Sequence, residues 1–272
     1  MTTVACLGAG AMGSRIAQNL LNAGYPVLVY NRTRETVNPL LDCGAQYVST
    51  PRDAAEQADI IISMVTDDAA SRAVWLTPET GAIAGFTNRS TAPIAIESST
   101  LTVDWVVELA GHLEGRARFL DAPVVGSRPQ AEAAKLTYLV GGDAETLAEV
   151  TPLLQVSGAV RQVGPIGQGM ALKLAVNALF GIQVAALGEL LGALTHQGLS
   201  QAQAMDCLSG LPVLSPAANV AGGLMVSDRH APLFPIHLVE KDFRYALGLA
   251  GAEKTPLSAA AHGMYQDAIA QG

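Results

Sequence analysis

Three glycines near the N-terminus separate an apolar stretch from a helical pattern. The run TVACL at 3–7 ends in a G-x-G-x-x-G motif, and helix-forming residues continue to about residue 23. This order predicts a strand, a tight turn and a helix, with glycines where the backbone turns, approaches a pyrophosphate and packs against the strand. The motif therefore predicts a dinucleotide site, and we expect contacts along the loop from Gly8, Ala9, Gly10, Ala11, Met12 and Gly13.

The second predicted strand, at 26–30, ends where the ribose of an adenosine half would lie. Asn31, Arg32, Thr33 and Arg34 follow it, and none of them is acidic. An acidic side chain here would accept hydrogen bonds from a free 2′-hydroxyl and repel a 2′-phosphate, whereas arginine pairs with phosphate. These residues favour NADP(H) over NAD(H). The alternative is that they are ordinary solvated residues at the start of the next helix, and Thr33 could be its N-cap in either case.

Apolar runs alternate with helical patterns as far as residue 163, which predicts a mainly parallel sheet covered by helices. Buried strands are expected at 58–65 and 92–97, with two hairpin-like extensions at 118–127 and 136–142. Loops after parallel strands lie at the edge where ligands bind. We expect the cofactor to contact Met64, Val65, Thr66, Ser99 and Thr100, although a hydroxyl near residue 99 could instead cap the following helix.

A long apolar helix is predicted after the glycine-rich entry at 164–169, because helix formers continue without proline to residue 197. Its apolar character predicts burial. Between Met170 and Gly188 the only charged residue is Lys173, and Asn177 lies one turn further on. A buried ammonium is costly unless it has partners or a task, so both residues are catalytic candidates. The alternative is a lysine that extends its ammonium to water. Polar residues interrupt the helix too often for a membrane span.

Beyond this helix the patterns are helical only, at about 200–209, 215–226, 236–250 and 256–270. The sequence thus predicts an α/β protein with an N-terminal Rossmann domain at 1–163 and an all-helical domain for substrate binding and dimerisation at 164–272, joined by the long helix. The helices carry more apolar surface than one such domain can bury, so we expect a homodimer or a higher homo-oligomer. The alternative is a compact monomer.

Charge and cysteine usage restrict the class of partner. The 272 residues carry a formal net charge of −8 with a pI near 5.0, which argues against nucleic acid and anionic membranes as partners. The three cysteines show neither paired nor metal-ligand spacing, so we expect a reduced compartment and no metal site. The start MTTVACLGAG lacks the pattern of a signal peptide, and we expect a cytoplasmic protein.

Four motifs give the chain a resemblance to the β-hydroxyacid dehydrogenase family, which includes 3-hydroxyisobutyrate dehydrogenase and the NADPH-dependent glyoxylate and succinic semialdehyde reductases. They are LGAGAMGSRIAQNLLNAG at 7–24, DAPVVGS at 121–127, GPIGQGMALKLAVN at 164–177 and EKDFRYALGLA at 240–250. The resemblance implies that Lys173 acts at the carbonyl oxygen and Asn177 beside it, that Lys241 approaches the cofactor, and that Asp242 shapes the local charge. It also implies a substrate carboxylate held by Ser99, Thr100, Pro123, Val124, Val125, Gly126 and Ser127.

The chain departs from the family at three places. Val125 stands where the family usually has serine, Ser127 where it often has glycine, and the pair Ala134 and Lys135 replaces Gly-Thr. Valine removes one donor to a substrate carboxylate, which Ser127 can replace. Two alternatives to an NADPH-dependent carbonyl reductase stay open. One is an imine reductase, although such enzymes usually have Asp or Tyr in place of Lys173. The other is a non-catalytic NADP-binding scaffold, which would not need a buried polar pair.

Overall fold

The computed structural model describes residues 2–87, 91–229, 231 and 233–271. The chain divides into two compact units, Met1–Lys173 and Leu174–Gly272. The boundary expected from the sequence, between residues 163 and 164, lies ahead of the long helix and assigns all of it to the second domain. That assignment remains a proposal.

The first unit is built on one sheet. Its strands are β1 (Val4–Leu7), β2 (Val27–Tyr30), β3 (Gln46–Tyr47), β4 (Ile60–Ser63), β5 (Ile94–Glu97), β6 (Arg118–Asp121), β7 (Val124–Val125), β8 (Leu136–Gly141) and β9 (Gly158–Gly164). The order is β3-β2-β1-β4-β5-β6-β8-β7, with β9 paired to β8. The first six strands in that order are parallel, whereas β6 and β7 both run antiparallel to β8. The predicted hairpin-like extension is therefore present at β7 and β8.

Helices cover both faces of this sheet. They are α1 (Gly13–Asn22), α2 (Asn38–Asp42), α3 (Pro51–Gln57), α4 (Asp68–Leu76), α5 (Val103–Leu113), α6 (Arg128–Glu132) and α7 (Ala144–Leu154), with short 3₁₀ segments at Arg34–Val37 and Ala82–Phe86. Every residue of β1, β4 and β5 is buried, as central parallel strands require. One core contains Ile16 and Leu20 of α1, and the other contains Trp75 of α4 and Trp105 of α5.

The sheet reverses its strand order between β1 and β4. The chain moves outward from β1 to β2 and β3, then returns to β4 on the other side of β1. In such sheets the carboxyl edge at the reversal is where ligands bind. The loops after β1, β2, β4 and β5 all lie at this edge, so the topology groups the predicted cofactor residues of the first unit there.

The long helix, α8 (Gln168–His196), begins inside the glycine-rich entry, slightly earlier than the sequence predicted. The segment before it is a turn rather than a helix because Gly167 has φ +89°, in the left-handed region. The prediction of a buried helix was only partly right. Only 33% of its most apolar stretch is buried, and Leu179 and Leu190 are 59% and 56% exposed. By length and composition alone this helix could cross a membrane, a test that core helices also pass.

The described part of the second unit is helical. After α8 come α9 (Gln201–Ser209), α10 (Pro216–Val226), α11 (Ile236–Leu247), a 3₁₀ turn at Ala252–Lys254 and α12 (Pro256–Gln271). α8, α11 and α12 pack together around Gly181. Phe243 of α11 lies so close that a side chain at Gly181 would collide with its ring, and the Tyr265 hydroxyl of α12 donates to the Gly181 carbonyl at 2.9 Å. The predicted fold class, a Rossmann domain followed by helices, is confirmed.

Candidate functional site

The glycine loop lies between β1 and α1, and its three glycines have different surroundings. A side chain at Gly8, where φ is +104°, would collide with the carbonyl oxygen of Met64. A side chain at Gly13 would collide with the Gly8 carbonyl, so this glycine brings helix and strand together. At Gly10 a Cβ would meet nothing within 4 Å. This open space beside the start of a helix with no acidic residue in its first turn fits a pyrophosphate.

Asn31 links the glycine loop to the end of β2. Its Oδ1 accepts a hydrogen bond from the Ala9 amide at 3.0 Å, and its Nδ2 donates to the Thr33 carbonyl at 2.9 Å. Arg32 and Arg34 follow with exposed side chains, and the Arg34 guanidinium lies 5.2 Å from the centroid of the Tyr47 ring. Thr33 occupies the N-cap position of the 3₁₀ segment Arg34–Val37, but its side chain makes no capping hydrogen bond.

A buried carboxylate braces the loops that follow β4 and β5. Glu97 is fully buried; its Oε2 accepts from the Ser71 hydroxyl at 2.7 Å and the Trp75 indole at 2.8 Å, and its Oε1 accepts from the Ser99 amide at 3.0 Å. The Ser99 hydroxyl in turn accepts from the Val65 amide at 2.8 Å. Burial raises the pKa of Glu97 above its ordinary value of 4.5, and the hydrogen bonds that it accepts act against this rise.

This network changes the interpretation of two predicted binding residues. Ser99 is fully buried and its hydroxyl binds protein groups, so it shapes the loop from inside, whereas Thr100 is partly exposed. Neither residue caps the following helix. That cap is Thr102, whose hydroxyl accepts from the Trp105 amide at 3.2 Å.

The predicted substrate loop follows β6. Val124 is buried in the core, Val125 is half-buried, and Gly126 is exposed with φ +126°. Ser127 is the N-cap residue of α6, and the Gln130 side chain reaches back to it: Oε1 of Gln130 accepts from the Ser127 amide at 3.0 Å and from its hydroxyl at 2.8 Å. The sequence prediction missed α6, although the spacing Ser-x-x-Gln is the signature of this capping box.

A second buried carboxylate, Asp121, was also missed. It ends β6, and its two oxygens accept hydrogen bonds from the amides of Gly167 and Met170 at 2.8 Å each. Burial raises the pKa of Asp121, and these backbone donors act in the opposite direction. Lys173 lies three residues beyond Met170 and is buried, with 7% of its surface exposed. The signal available in the sequence was an acidic residue at the end of a predicted strand.

Three predicted residues of the second unit lie together. Nδ2 of Asn177 donates to Oδ2 of Asp242 at 2.6 Å, and Nζ of Lys241 lies 3.2 Å from Oδ1 of the same carboxylate. The Lys241 ammonium is also 5.1 Å from the centroid of the Tyr245 ring. Lys241 and Asp242 are buried, so Asp242 balances a cation that water does not fully solvate. Among the residues that the structure describes, no cluster of three or more His, Cys, Asp or Glu side chains could hold a metal ion.

Two family models match the chain. Residues 3–176 match the NAD binding domain of 6-phosphogluconate dehydrogenase, and residues 167–272 match the NAD-binding domain of NADP-dependent 3-hydroxyisobutyrate dehydrogenase. These matches, with relatives named as dehydrogenases and reductases, show an oxidoreductase that uses a nicotinamide cofactor and acts on hydroxyl or carbonyl groups. The chain belongs to the β-hydroxyacid dehydrogenase family.

Individual relatives extend over nearly the whole chain. Glyoxylate/succinic semialdehyde reductase 2, chloroplastic, of Arabidopsis thaliana is 33% identical over 276 residues, which cover 99% of this chain and 75% of that protein. The structure of Mycobacterium tuberculosis 3-hydroxyisobutyrate dehydrogenase with L-serine has a TM-score of 0.86 at 27% identity, covering 99% of this chain and 94% of that one. A reductive aminase from Aspergillus terreus, at 21% identity and a TM-score of 0.67 over 100% and 95% of the two chains, shares the fold alone.

Proposed function

We propose that the protein transfers a hydride reversibly between NADP(H) and a small aldehyde or keto acid, whose reduced form is a hydroxy acid. The observation that carries this proposal is the burial of Lys173, the only charged side chain between Met170 and Gly188 in a mainly apolar helix segment. A buried lysine in the motif of this family supports a catalytic cation. The name of the Arabidopsis relative supports an aldehyde acid as the substrate class.

The cofactor would be held at the carboxyl edge of the sheet. The loop at 8–13 would hold the pyrophosphate, and Arg32 and Arg34 would pair with a 2′-phosphate, since both guanidinium groups are exposed and no carboxylate lies among residues 31–34. The loops at 64–66 and 99–100 would hold the nicotinamide end. Lys241 is a further proposed cofactor residue, on the family motif at 240–250. When bound, NADPH supplies the hydride.

Lys173 would act on the carbonyl oxygen. Its ammonium donates a hydrogen bond and then a proton to the oxygen as negative charge develops there, and takes the proton back in the reverse reaction. Asn177, one helical turn further on, would hold the substrate with its side-chain amide. Asp242 fixes the orientation of that amide, because Nδ2 of Asn177 donates a hydrogen bond to the Asp242 carboxylate.

The substrate carboxylate would be received by the loop at 123–127. Val125 offers no side-chain donor, and the Ser127 hydroxyl donates to Gln130 in an exposed contact that a substrate can replace. The second proposed donor to the substrate carboxylate is the hydroxyl of Thr100, which is partly exposed. The aldehyde acid would thus be recognised by Ser127 and Thr100 in place of the serine that the family usually has.

The exposed apolar side chains of the helical unit support self-association. Leu179 and Leu190 of α8, Val220 of α10 and Leu257 of α12 are each more than half exposed in the single chain. A second copy would bury them, so the proposed state is a homodimer or a higher homo-oligomer in the cytoplasm. Light scattering coupled to size-exclusion chromatography measures this directly, and a monomer at micromolar concentration would contradict it.

The first test is NADPH oxidation with succinic semialdehyde, glyoxylate, methylglyoxal and a cyclic imine, with NADH run in parallel. The expected result is turnover of an aldehyde acid with a strong preference for NADPH. Turnover of the imine alone would replace the proposal with an imine reductase. Tight NADPH binding without turnover of any substrate would favour the non-catalytic scaffold.

A further inference from the structure

The start of α8 has no capping residue of its own. From Gly164 to Met170 the sequence is GPIGQGM, without Ser, Thr, Asp or Asn, the residues that usually accept hydrogen bonds from the first amides of a helix. The carboxylate of Asp121 serves instead. It accepts from amides that lie 46 and 49 residues further along the chain, at Gly167 and Met170.

Two glycines keep this carboxylate against the backbone. A Cβ at Gly169 would lie 2.8 Å from Oδ2 of Asp121, and a Cβ at Gly141 would collide with Oδ1. Asp121 itself is fully buried. A negative charge held at the N-terminus of a helix of 29 residues is favoured by the helix dipole, so the contact fixes both the position and the direction of the first turn.

The same residue lies between the two predicted parts of the substrate site. Asp121 is the last residue of β6, so the loop at 122–127 begins directly after it. On the helix side, Lys173 lies less than one turn beyond Met170, whose amide Asp121 binds. A shift of the first turn therefore moves Lys173 relative to the loop.

We propose that Asp121 is a positioning residue, which holds the first turn of α8 so that Lys173 and the loop at 122–127 face the same substrate. This inference rests on the proposed function, in which Lys173 acts on the carbonyl oxygen. Asp121 does not touch the substrate in this arrangement. Its effect on the reaction passes through Lys173, and that is what distinguishes it from an ordinary helix cap.

The test is Asp121→Asn, which keeps the size of the side chain but removes the charge and one acceptor. We expect kcat to fall about 100-fold, the loss that a misplacement of about 1 Å can cause, with the KM for NADPH changed less than about twofold. Amide hydrogen exchange over 166–173 should become faster. The matched control is Asp143→Asn, which removes the carboxylate that caps α7 by accepting from the Thr146 amide at 2.8 Å. It should lower thermal stability and leave kcat unchanged.

A double mutant separates this inference from the proposed function. In the Lys173→Met background, Asp121→Asn should cost less than about a further twofold in kcat, since residues that act as a unit are not additive. Wild-type turnover by Lys173→Met alone would overturn the proposed function. The positioning role would be overturned if Lys173→Met loses turnover but Asp121→Asn lowers kcat in that background by as much as it does in the unaltered protein. If Asp121→Asn does not fold, Asp121→Ser, which is smaller and keeps one acceptor, takes its place with the same expected outcomes.

Discussion

Asn177 donates a 2.6 Å hydrogen bond to the carboxylate of Asp242, although 65 positions separate the two residues in the chain. The same carboxylate forms an ion pair with Lys241 at 3.2 Å. Asp242 therefore does two things at once: it orients a neutral amide and balances a buried cation. A neutral side chain at this position could do only the first.

Asp242→Asn should strongly destabilise the protein. The substitution breaks the buried ion pair with Lys241, and the loss of one partner of such a pair typically costs about 3–5 kcal/mol in the free energy of unfolding. Urea unfolding followed by circular dichroism measures this value. Glu56→Gln is the matched control, because it neutralises an ion pair with Arg52 whose side chains are 44% and 45% exposed, and it should cost less than about 1 kcal/mol. Equal losses for the two variants would contradict the buried pair.

Lys173→Met should remove most of the turnover. Methionine keeps the length and apolar stem of the side chain but cannot donate a proton, and general acid catalysis contributes about 10²–10⁴-fold to a rate. We expect kcat to fall by that factor while NADPH binding, measured by fluorescence titration, changes little. Lys254→Met, at an exposed position, is the control and should behave as the unaltered protein. A kcat within threefold of the unaltered protein would reject Lys173 as the acid.

Arg32→Ala should weaken NADPH and spare NADH. Hydrogen bonds to charged groups are worth about 1.5–3 kcal/mol, so the Kd for NADPH should rise about 10- to 100-fold. The Kd for NADH should stay within about twofold, because NADH has no 2′-phosphate. Arg116→Ala removes an exposed arginine elsewhere in the first unit and should alter neither value. Equal weakening of both cofactors would mean that Arg32 does not distinguish them.

Ala134→Gly should stabilise the protein. Ala134 is exposed and has φ +54°, in the left-handed region, which costs an L-residue about 1–2 kcal/mol. Glycine removes this strain but gains freedom in the unfolded chain, so we expect a net gain of about 0.5–1 kcal/mol. The neighbouring exposed Ala133 has φ −82°, and Ala133→Gly should therefore be destabilising. Thermal melts of both variants check the opposite signs.

The stability of the protein should depend on pH through Glu97. Its pKa is raised by burial, so its contribution is fully present below the unfolded value near 4.5 and is lost as pH rises through the folded value. The melting temperature of the unaltered protein minus that of Glu97→Gln should therefore fall as pH rises from 4.5. Glu149 gives the opposite sign, because Arg118 lowers its pKa. The melting temperature of the unaltered protein minus that of Glu149→Gln should therefore fall as pH decreases. A flat profile for Glu97→Gln would contradict the assigned direction.

Local patterns predicted most of the fold. The glycine spacing, the apolar strands and helices such as α3 and α4 follow from residues close together in the chain. The start of α8 was placed slightly too late, because glycine-rich sequence does not reveal where the turn at Gly167 ends and the helix begins. α6 was missed because five residues are too few to show a helical period. The bonds of Asp121 and Asp242 could not be predicted, since each joins residues more than 40 positions apart and no pattern identifies such partners.

The two hydrogen bonds of Asn31 restrict how the cofactor preference of this chain can be redesigned. Asn31→Asp, the obvious change toward NAD(H), keeps an acceptor for the Ala9 amide but loses the donor to the Thr33 carbonyl. A carboxylate oxygen would then face a carbonyl oxygen, and the glycine loop would shift with it. Arg32 and Arg34 are exposed, so a library of variants directed at those two positions can alter recognition of the ribose while the turn that carries the pyrophosphate keeps its shape.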